Sequence, residues 1–394
     1  MIANPHIALF YDIPNWAFHN VARNVARIGA RNTRYTLLGR DDWFGKPGVA
    51  SSVARNADVL VFLWRFDLLA FLDTLDHAAR RHMTGSDRPG IVTIVYDHIF
   101  QSPAELSEMG NPFHYSDAVG AASSRLKRIY DRAAHLPDVD AVLPDGVDLT
   151  EFPAVEDTSA RCGPIRIGWV GNSAWGSTVG RDLKGKATIF DPAVETLKAA
   201  GAAIDIRVAD RARAFVPKAE MPAFYADLDV LVCSSAMEGT PNPVLEAMAT
   251  GVAVVSTDVG IVPDVLGPLQ KRFILPERSA HALARALNTL VDAPEVLAEL
   301  KAENLSRRND LSWGHRAPVW DALFEQARKD RLASAGQKRT ALIQERYSRK
   351  GTATERARRW IARNRLAYRL YSISLERFPA LIRFSKYLLA RSAR

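Results

Sequence analysis

Two glutamates, Glu238 and Glu246, stand eight positions apart in SSAMEGTPNPVLEAMATGVAVVSTDVG, residues 234–260. Between them lies Asn242-Pro243, a capping residue followed by a proline, which predicts that a helix starts there. A helix start presents free N–H groups and the positive end of the dipole, which suits an anion such as a diphosphate. Two carboxylates touching that anion would repel it. Set beside it, they suit the role of acceptors for sugar and ribose hydroxyls flanking the phosphates. The local alternative is that Glu246, in the first turn, complements the helix dipole and Glu238 is a solvated loop residue.

Other motifs compete less well. GRDLKGKA, residues 180–187, nearly spells a phosphate-binding Walker loop, but Ala187 stands where a hydroxyl would hold Mg²⁺. The preceding β-rich run also ends too early. Gly168, Gly171 and Gly176 do not have dinucleotide-fingerprint spacing. His77 and His82 are five apart and off any one helical face. Cys162 and Cys233, 71 positions apart, form neither a disulfide framework nor a Cys-x-x-Cys site. No metal site and no cofactor are expected.

The elements that must position these residues alternate. HIALFY (6–11) precedes a helical stretch from Asn15 to about Ala30, then RYTLL (34–38). ADVLVFLW (57–64), a helix-like run through His82, GIVTIVYD (90–97), a long helical pattern over 116–133 and VDAVLP (139–144) follow. A Pro-, Gly- and Ser-rich stretch then marks a linker. The pattern restarts with PIRIGWVG (164–171), a helix from Pro192 to Ala200, AIDIRVA (203–209), a short helix at Met221–Ala226, DVLVCSS (229–235), a helix from Pro243 to Thr250 and VAVVST (252–257). Helices near 279–292, 294–309 and 312–329 close it. Apolar strands alternating with helices predict parallel sheets covered on both faces. Two such runs predict two doubly wound, Rossmann-like α/β domains facing one interdomain cleft, with ligands at the carboxyl ends of the strands. The expected boundaries are an N-terminal domain at 1–150, a linker at 151–163, a second domain at 164–330 and a tail at 331–394.

EGTPNPVLEAMATG resembles the Glu-x7-Glu signature of retaining GT-B glycosyltransferases, family 4 (glycosyl transferases group 1). VLPDGVDLTEF (142–152) is similar to that family's interdomain stretch. GWVGN (168–172) with the later Asp182-Leu183-Lys184-Gly185 looks like the start of its donor domain. AEMPAFYADLDVLVCSS (219–235) is similar to the helix and strand before the motif, and the resemblance runs over roughly residues 5–330.

The resemblance implies a fold and a division of labour. The fold is GT-B, with an acceptor-side N-terminal domain and a second domain that binds a nucleotide-diphospho-sugar. Glu238 would contact a hydroxyl of the transferred sugar, and Glu246 the ribose. Gly239 and Thr240, with Pro241 and Asn242 at the helix start, would approach the sugar and diphosphate. Lys184 would neutralise the departing diphosphate without a metal. Where the family's donor-side loop usually offers an arginine, this chain reads Gly171-Asn172-Ser173, and Arg181 is the only arginine nearby. In the N-terminal domain, Asp12-Ile13-Pro14-Asn15-Trp16-Ala17 replaces a glycine-rich loop. Asp97-His98 reverses the family's His-Asp order; either residue would face the reacting sugar, or Asp97 is a strand-end turn residue and His98 a helix cap.

The implied function is sugar transfer, with retention, to a glycan or lipid-linked glycan acceptor. The alternatives are another sugar-nucleotide enzyme on the same scaffold, such as an epimerase or hydrolase, and a non-catalytic nucleotide-sugar-binding protein. Composition is compatible with each: 394 residues, 47% apolar and 24% charged, give an ordinary globular chain. Charge is uneven. Residues 331–394 carry 17 basic and 3 acidic side chains, net +14, and the remaining 330 are net −6. In that tail Tyr368, Tyr371, Leu375, Phe378 and Ile382 recur at helical spacing, with Trp360, Phe384 and Tyr387 among arginines. Such a segment predicts attachment to an anionic membrane surface; packing back on the N-terminal domain or nucleic-acid binding are the alternatives. With no signal-like N-terminus and no apolar run long enough to span, the expected location is cytoplasmic, at most peripheral on the membrane.

Overall fold

The computed structural model of the chain describes residues 4–99, 102–155, 163–175, 182–349 and 353–364. Among these residues ten strands form two sheets. The first contains β1 (His6–Tyr11), β2 (Arg34–Gly39), β3 (Val59–Phe62), β4 (Gly90–Val95), β5 (Ala118–Ala121) and β6 (Ala141–Val142), in the order β2-β1-β3-β4-β5-β6. The second contains β7 (Ile165–Gly171), β8 (Ile204–Asp210), β9 (Val230–Cys233) and β10 (Ala253–Ser256), in the order β10-β9-β7-β8. β1 pairs in parallel with β2 and β3, and β7 with β8 and β9. Both sheets thus reverse direction beside their first strand. In open α/β sheets that reversal leaves a crevice at the carboxyl ends of the two strands flanking it.

By internal contacts the described residues divide into two compact units: 4–94, 102–120 and 321 onward in the first, 95–99 and 121–320 in the second. The chain passes between the two units four times. In the first unit Phe10 stacks on Phe62 at 4.5 Å, and Trp43 and Phe71 meet Phe10 edge-on. In the second, β9, β10 and the middle of β7 are buried on both faces, while the edge strand β8 is mostly half-buried. Ile167, Trp169, Val230 and Val232 pack under the helices Asp191–Ala199 and Ala280–Asp292. Leu231 and Val254 face the other way, onto Tyr225, Val244, Leu245 and Met248. Burial on both faces is why these strands read as continuous apolar runs.

One expected element differs. Residues 116–133 are not one helix: β5 takes Ala118–Ala121, and the helix Ser124–Asp131 follows, its start capped by Ser123 Oγ accepting from Leu126 N at 3.2 Å. AVGA is a short, fully buried run, and periodicity does not separate such a strand from a buried helical turn. The glycine-free loop after β1 also solves its turn in its own way. Asn15 has φ 60°, the left-handed shape glycine usually supplies, and its N–H donates to His19 Nδ1 at 2.8 Å.

The segment expected as a tail begins inside the first unit. The helices Ser334–Ser348 and Ala353–Arg363 pack there, with Ile343 fully buried. Arg346 Nη2 donates to Asp73 Oδ2 at 2.8 Å and Arg363 Nε to the Asp73 carbonyl at 2.8 Å. Burial pushes the Asp73 carboxyl up, and Arg346 opposes it. Arg88, itself buried, forks onto Asp117 at 2.6 and 2.8 Å and reaches Thr340 Oγ1 at 2.7 Å. Trp360 is 61% exposed on the last described helix. Tyr368, Tyr371, Leu375, Phe378, Ile382, Phe384 and Tyr387 lie outside the described residues. No helix among the described residues is long and apolar enough to cross a membrane.

Candidate active site

Lys184 and Glu238 meet beyond the carboxyl ends of β7 and β9. Lys184 Nζ donates to Glu238 Oε1 at 2.5 Å, and Ser235 Oγ donates to the same oxygen at 2.6 Å. The two side chains are 22% and 12% exposed, so Glu238 is a partly buried, paired carboxylate and not a solvated loop residue. Trp175 lies under the Lys184 ammonium at 5.1 Å from the ring centroid. Local sequence builds this arrangement. Asp182 accepts from Gly185 N at 2.7 Å and Thr188 N at 2.9 Å, folding 182–188 into a tight turn. Burial works to raise the Asp182 carboxyl, but these backbone donors hold it below its usual range. Gly185 has φ 73°, and a Cβ there would fall 2.2 Å from the Ser234 carbonyl. Only glycine lets the Lys184 turn lie against β9. Arg278 clamps the same junction, donating to the carbonyls of Ser234 (3.0 Å) and Asp182 (2.8 Å).

The helix after the loop runs Asn242–Thr250. Asn242 is its first residue and not its cap; Pro241 precedes it, with no side-chain capping bond. Helix ends of this kind shift by a residue between sequence and structure. Glu246 is consequently the fifth helical residue, and no acidic residue stands in the first turn. A dipole role for it fails, because that effect fades beyond the first turn. Instead Tyr225, fully buried, donates its hydroxyl to Glu246 Oε2 at 2.7 Å. Burial raises the Glu246 carboxyl to about 7, against the pull of Tyr225 and Lys218.

The loop between the glutamates is pressed from two sides. A Cβ on Gly239 would lie 2.3 Å from the Tyr96 carbonyl, and one on Gly260 2.2 Å from the Gly239 carbonyl. Gly239 O accepts from Ile261 N at 3.0 Å. Beneath it Tyr96 donates to Asp145 Oδ1 at 2.8 Å; burial lifts the Asp145 carboxyl to about 7. Thr240 Oγ1 lies near the same carboxyl, outside hydrogen-bond geometry. Asp97 and His98 follow Tyr96 directly, so their backbone starts beside the glutamate loop. Asp97 Oδ1 accepts from Ile99 N at 3.1 Å, as a strand-end turn residue does. His98 is no helix cap: its Nδ1 is buried without a hydrogen-bond partner. Burial lowers the His98 pKa, Asp97 opposes and Arg125 adds to the fall, which leaves a neutral imidazole at pH 7.

Gly171 ends β7, its carbonyl accepting from Arg211 N at 2.9 Å; Asn172 Oδ1 accepts from Ala174 N at 3.1 Å in the turn that follows. Arg181 lies outside the described residues, as does Cys162. Among the described residues no three His, Cys, Asp or Glu side chains converge as metal ligands. Sequence reasoning missed Ser235, Tyr225, Asp145 and Arg278. Of these only Ser235, three residues before Glu238, lies within local reach of its partner.

Residues 198–307 match the family model described as glycosyl transferases group 1. TuaC of Bacillus subtilis (strain 168), assigned by name to glycosyl transfer in teichuronic acid biosynthesis, is 31% identical over 206 residues, 47% of this chain and 52% of that protein. The MMP alpha-(1->4)-mannosyltransferase of Mycolicibacterium hassiacum is 32% identical over 111 residues, 27% of each. The matched segments thus span about half the length of the first relative and about a quarter of the second. Among solved structures, Anabaena Alr3699/HepE in complex with UDP and glucose is similar at TM-score 0.60 and 12% identity, covering 82% of this chain and 99% of that one. Sucrose-phosphate synthase from Thermosynechococcus elongatus is similar at TM-score 0.59 and 14% identity, covering 82% and 98%. The chain therefore carries a glycosyl transferases group 1 domain, with both glutamates inside it, in a two-unit α/β chain with the fold of the GT-B glycosyltransferases.

Proposed function

We propose that the chain is a retaining family 4 glycosyltransferase that moves a hexose-like sugar from a nucleotide-diphospho-sugar to a glycan or lipid-linked glycan. The observation that carries this reading is the Lys184–Glu238 pair, held at the carboxyl ends of the strands flanking the sheet reversal. The donor would exchange that pair for its own contacts. The diphosphate takes the Lys184 ammonium, and sugar hydroxyls donate to Glu238. Glu246 accepts from the ribose. Gly171, Asn172 and the backbone of Gly239, Thr240 and Pro241, with the start of the Asn242–Thr250 helix, surround the diphosphate and sugar. Lys184 and the helix dipole then lie where negative charge develops as the glycosidic bond to phosphate breaks, so the reaction runs without a metal ion. The acceptor oxygen attacks from the face the diphosphate leaves, and its proton passes to the departing phosphate. His98, neutral at pH 7, would accept a hydrogen bond from the sugar on that side.

The names of the relatives support transfer, and the UDP and glucose in the HepE complex support this donor class for the fold. The basic, aromatic C-terminal sequence, with Trp360 61% exposed on the last described helix, supports an acceptor presented on an anionic membrane. The test is a thermal-shift screen of UDP-, GDP-, ADP- and dTDP-sugars, followed by transfer assays with the stabilising donor and analysis of product anomers. Transfer with retention, abolished by Glu238→Ala, supports the reading. Donor binding without transfer to any glycan acceptor, or an inverted product, overturns it. Co-sedimentation of the full chain and of Trp360→Ala with anionic vesicles checks the membrane surface; equal binding removes Trp360 from it.

A further inference from the structure

The Glu246 carboxylate sits at the edge of an apolar layer made by Tyr225, Val244, Leu245, Ala247 and Met248. A carboxylate there favours its protonated form, which is the weaker acceptor for ribose hydroxyls. Something must hold it ionised and oriented. Tyr225 is the side chain placed to do so: it is fully buried, lies in the last turn of the short helix Met221–Ala226, and spends its hydroxyl on Oε2 at 2.7 Å. Its ring is braced in turn. Phe152 meets it edge-to-face at 5.8 Å and 65°, and Phe224 at 5.9 Å and 82°. Phe152 does not float, because Arg308 Nη2 donates to the carbonyls of Leu149 and Phe152, both at 2.8 Å, and its Nε to Ala249 O at 2.8 Å. The clamp therefore joins the end of VLPDGVDLTEF to the end of the glutamate-bearing helix, with Tyr225 between them.

We infer that Tyr225 is a positioning residue: its hydroxyl occupies one oxygen of Glu246 and so presents the other, as a carboxylate, to the ribose of the nucleotide. This inference rests on the donor reading above and adds to it the residue that keeps Glu246 competent. The other charged groups facing Glu246 are Lys218, which favours its ionised form, and Glu151, which opposes it. Those two pair with each other at 3.0 Å, so their effects on Glu246 largely offset. The Tyr225 hydroxyl is left as the directed interaction. Its loss moves the carboxyl further up from about 7, and nucleotide affinity then falls where the wild-type site is still partly ionised.

The experiment titrates UDP, GDP, ADP and dTDP into the full chain by calorimetry at pH 6.5 and 8.5. It compares wild type with Tyr225→Phe and Glu246→Gln, and uses whichever nucleotide wild type binds. Taking each variant relative to wild type at the same pH cancels titration of the diphosphate itself. Tyr225→Phe is expected to weaken binding about tenfold at pH 6.5 and about twofold or less at pH 8.5, as for loss of a hydrogen bond to a charged group. Glu246→Gln is expected to weaken binding at both pH values. Phe152→Leu, which keeps both polar groups and loosens the brace, is expected to shift binding in the same direction by about threefold at pH 6.5, and stands in if Tyr225→Phe does not fold. A Tyr225→Phe loss equal at the two pH values, or no loss, overturns the positioning role; so does an unaltered Phe152→Leu profile if that variant stands in. No effect of Glu246→Gln, or no binding of any of the four nucleotides, overturns the donor reading itself and is distinguishable from the first result.

Discussion

Replacing Lys184 by alanine tests the centre of the proposed site in two independent ways. The Nζ–Oε1 distance of 2.5 Å gives a gross attraction of roughly 7 kcal/mol at an effective dielectric constant of about 20. Desolvation of two side chains only 22% and 12% exposed offsets most of that. A charged hydrogen bond of this kind contributes about 1.5–3 kcal/mol net. The second unit holds about 200 residues, where each kcal/mol moves the melting temperature by about 2–4 °C. Lys184→Ala is therefore expected to lower it by roughly 3–12 °C in the ligand-free chain. Most of this loss comes from leaving Glu238 with Ser235 as its remaining donor, so adding Glu238→Gln restores part of it. In transfer assays with the identified donor, Lys184→Ala is expected to lower kcat by about 10²–10³, the usual cost of a lost donor at a developing charge. An unchanged melting temperature together with a rate within threefold of wild type refutes the pairing and the catalytic role alike. Strict additivity of the two substitutions in stability refutes their coupling.

Further outcomes follow from neighbouring groups. Chelation with EDTA is expected to leave most transfer activity intact; activity that disappears and returns with Mg²⁺ or Mn²⁺ reverses the metal-independent mechanism. Glu246→Gln is expected to weaken binding of the free nucleoside diphosphate by about 10-fold or more, whereas Glu238→Gln spares it and lowers turnover; equal losses of affinity contradict the division of roles. The Asp145 carboxyl, raised by burial to about 7 from an ordinary value of 3.8, binds a proton in the folded chain that the unfolded chain releases. Its contribution is thus present below pH 4 and lost as pH rises towards 7, so Asp145→Asn should flatten that slope and gain on the order of a few kcal/mol relative to wild type at pH 8. Urea midpoints at pH 5 and pH 8 measure this, and parallel profiles count against it. Asp73→Ala strips Arg346 and Arg359 of their shared partner and is expected to destabilise the first unit by about 3 kcal/mol, read as an earlier transition in urea.

Residue types and order determined much of this protein. The apolar runs at 6–11, 90–95 and 253–256 became buried parallel strands, because a strand covered on both faces has few polar positions to interrupt it. The motif order placed Glu238 and Lys184 in loops after strands, and the tight turn from Asp182 to Gly185 was written in local spacing. Where local pattern was ambiguous it misled: AVGA at 118–121 carries too few residues for a period, and only pairing within the sheet made it a strand. Other features had no local trace at all. Tyr225 and Glu246 lie 21 positions apart, Asp145 and Tyr96 49, and Arg346 and Asp73 273, so the field each carboxyl feels is set by elements remote in the chain. Sequence spacing fixed which groups were available to the site. Burial, which exists only once both sheets are covered, decided which of those carboxyls are paired, which are raised towards neutrality, and which side chains hold them in place.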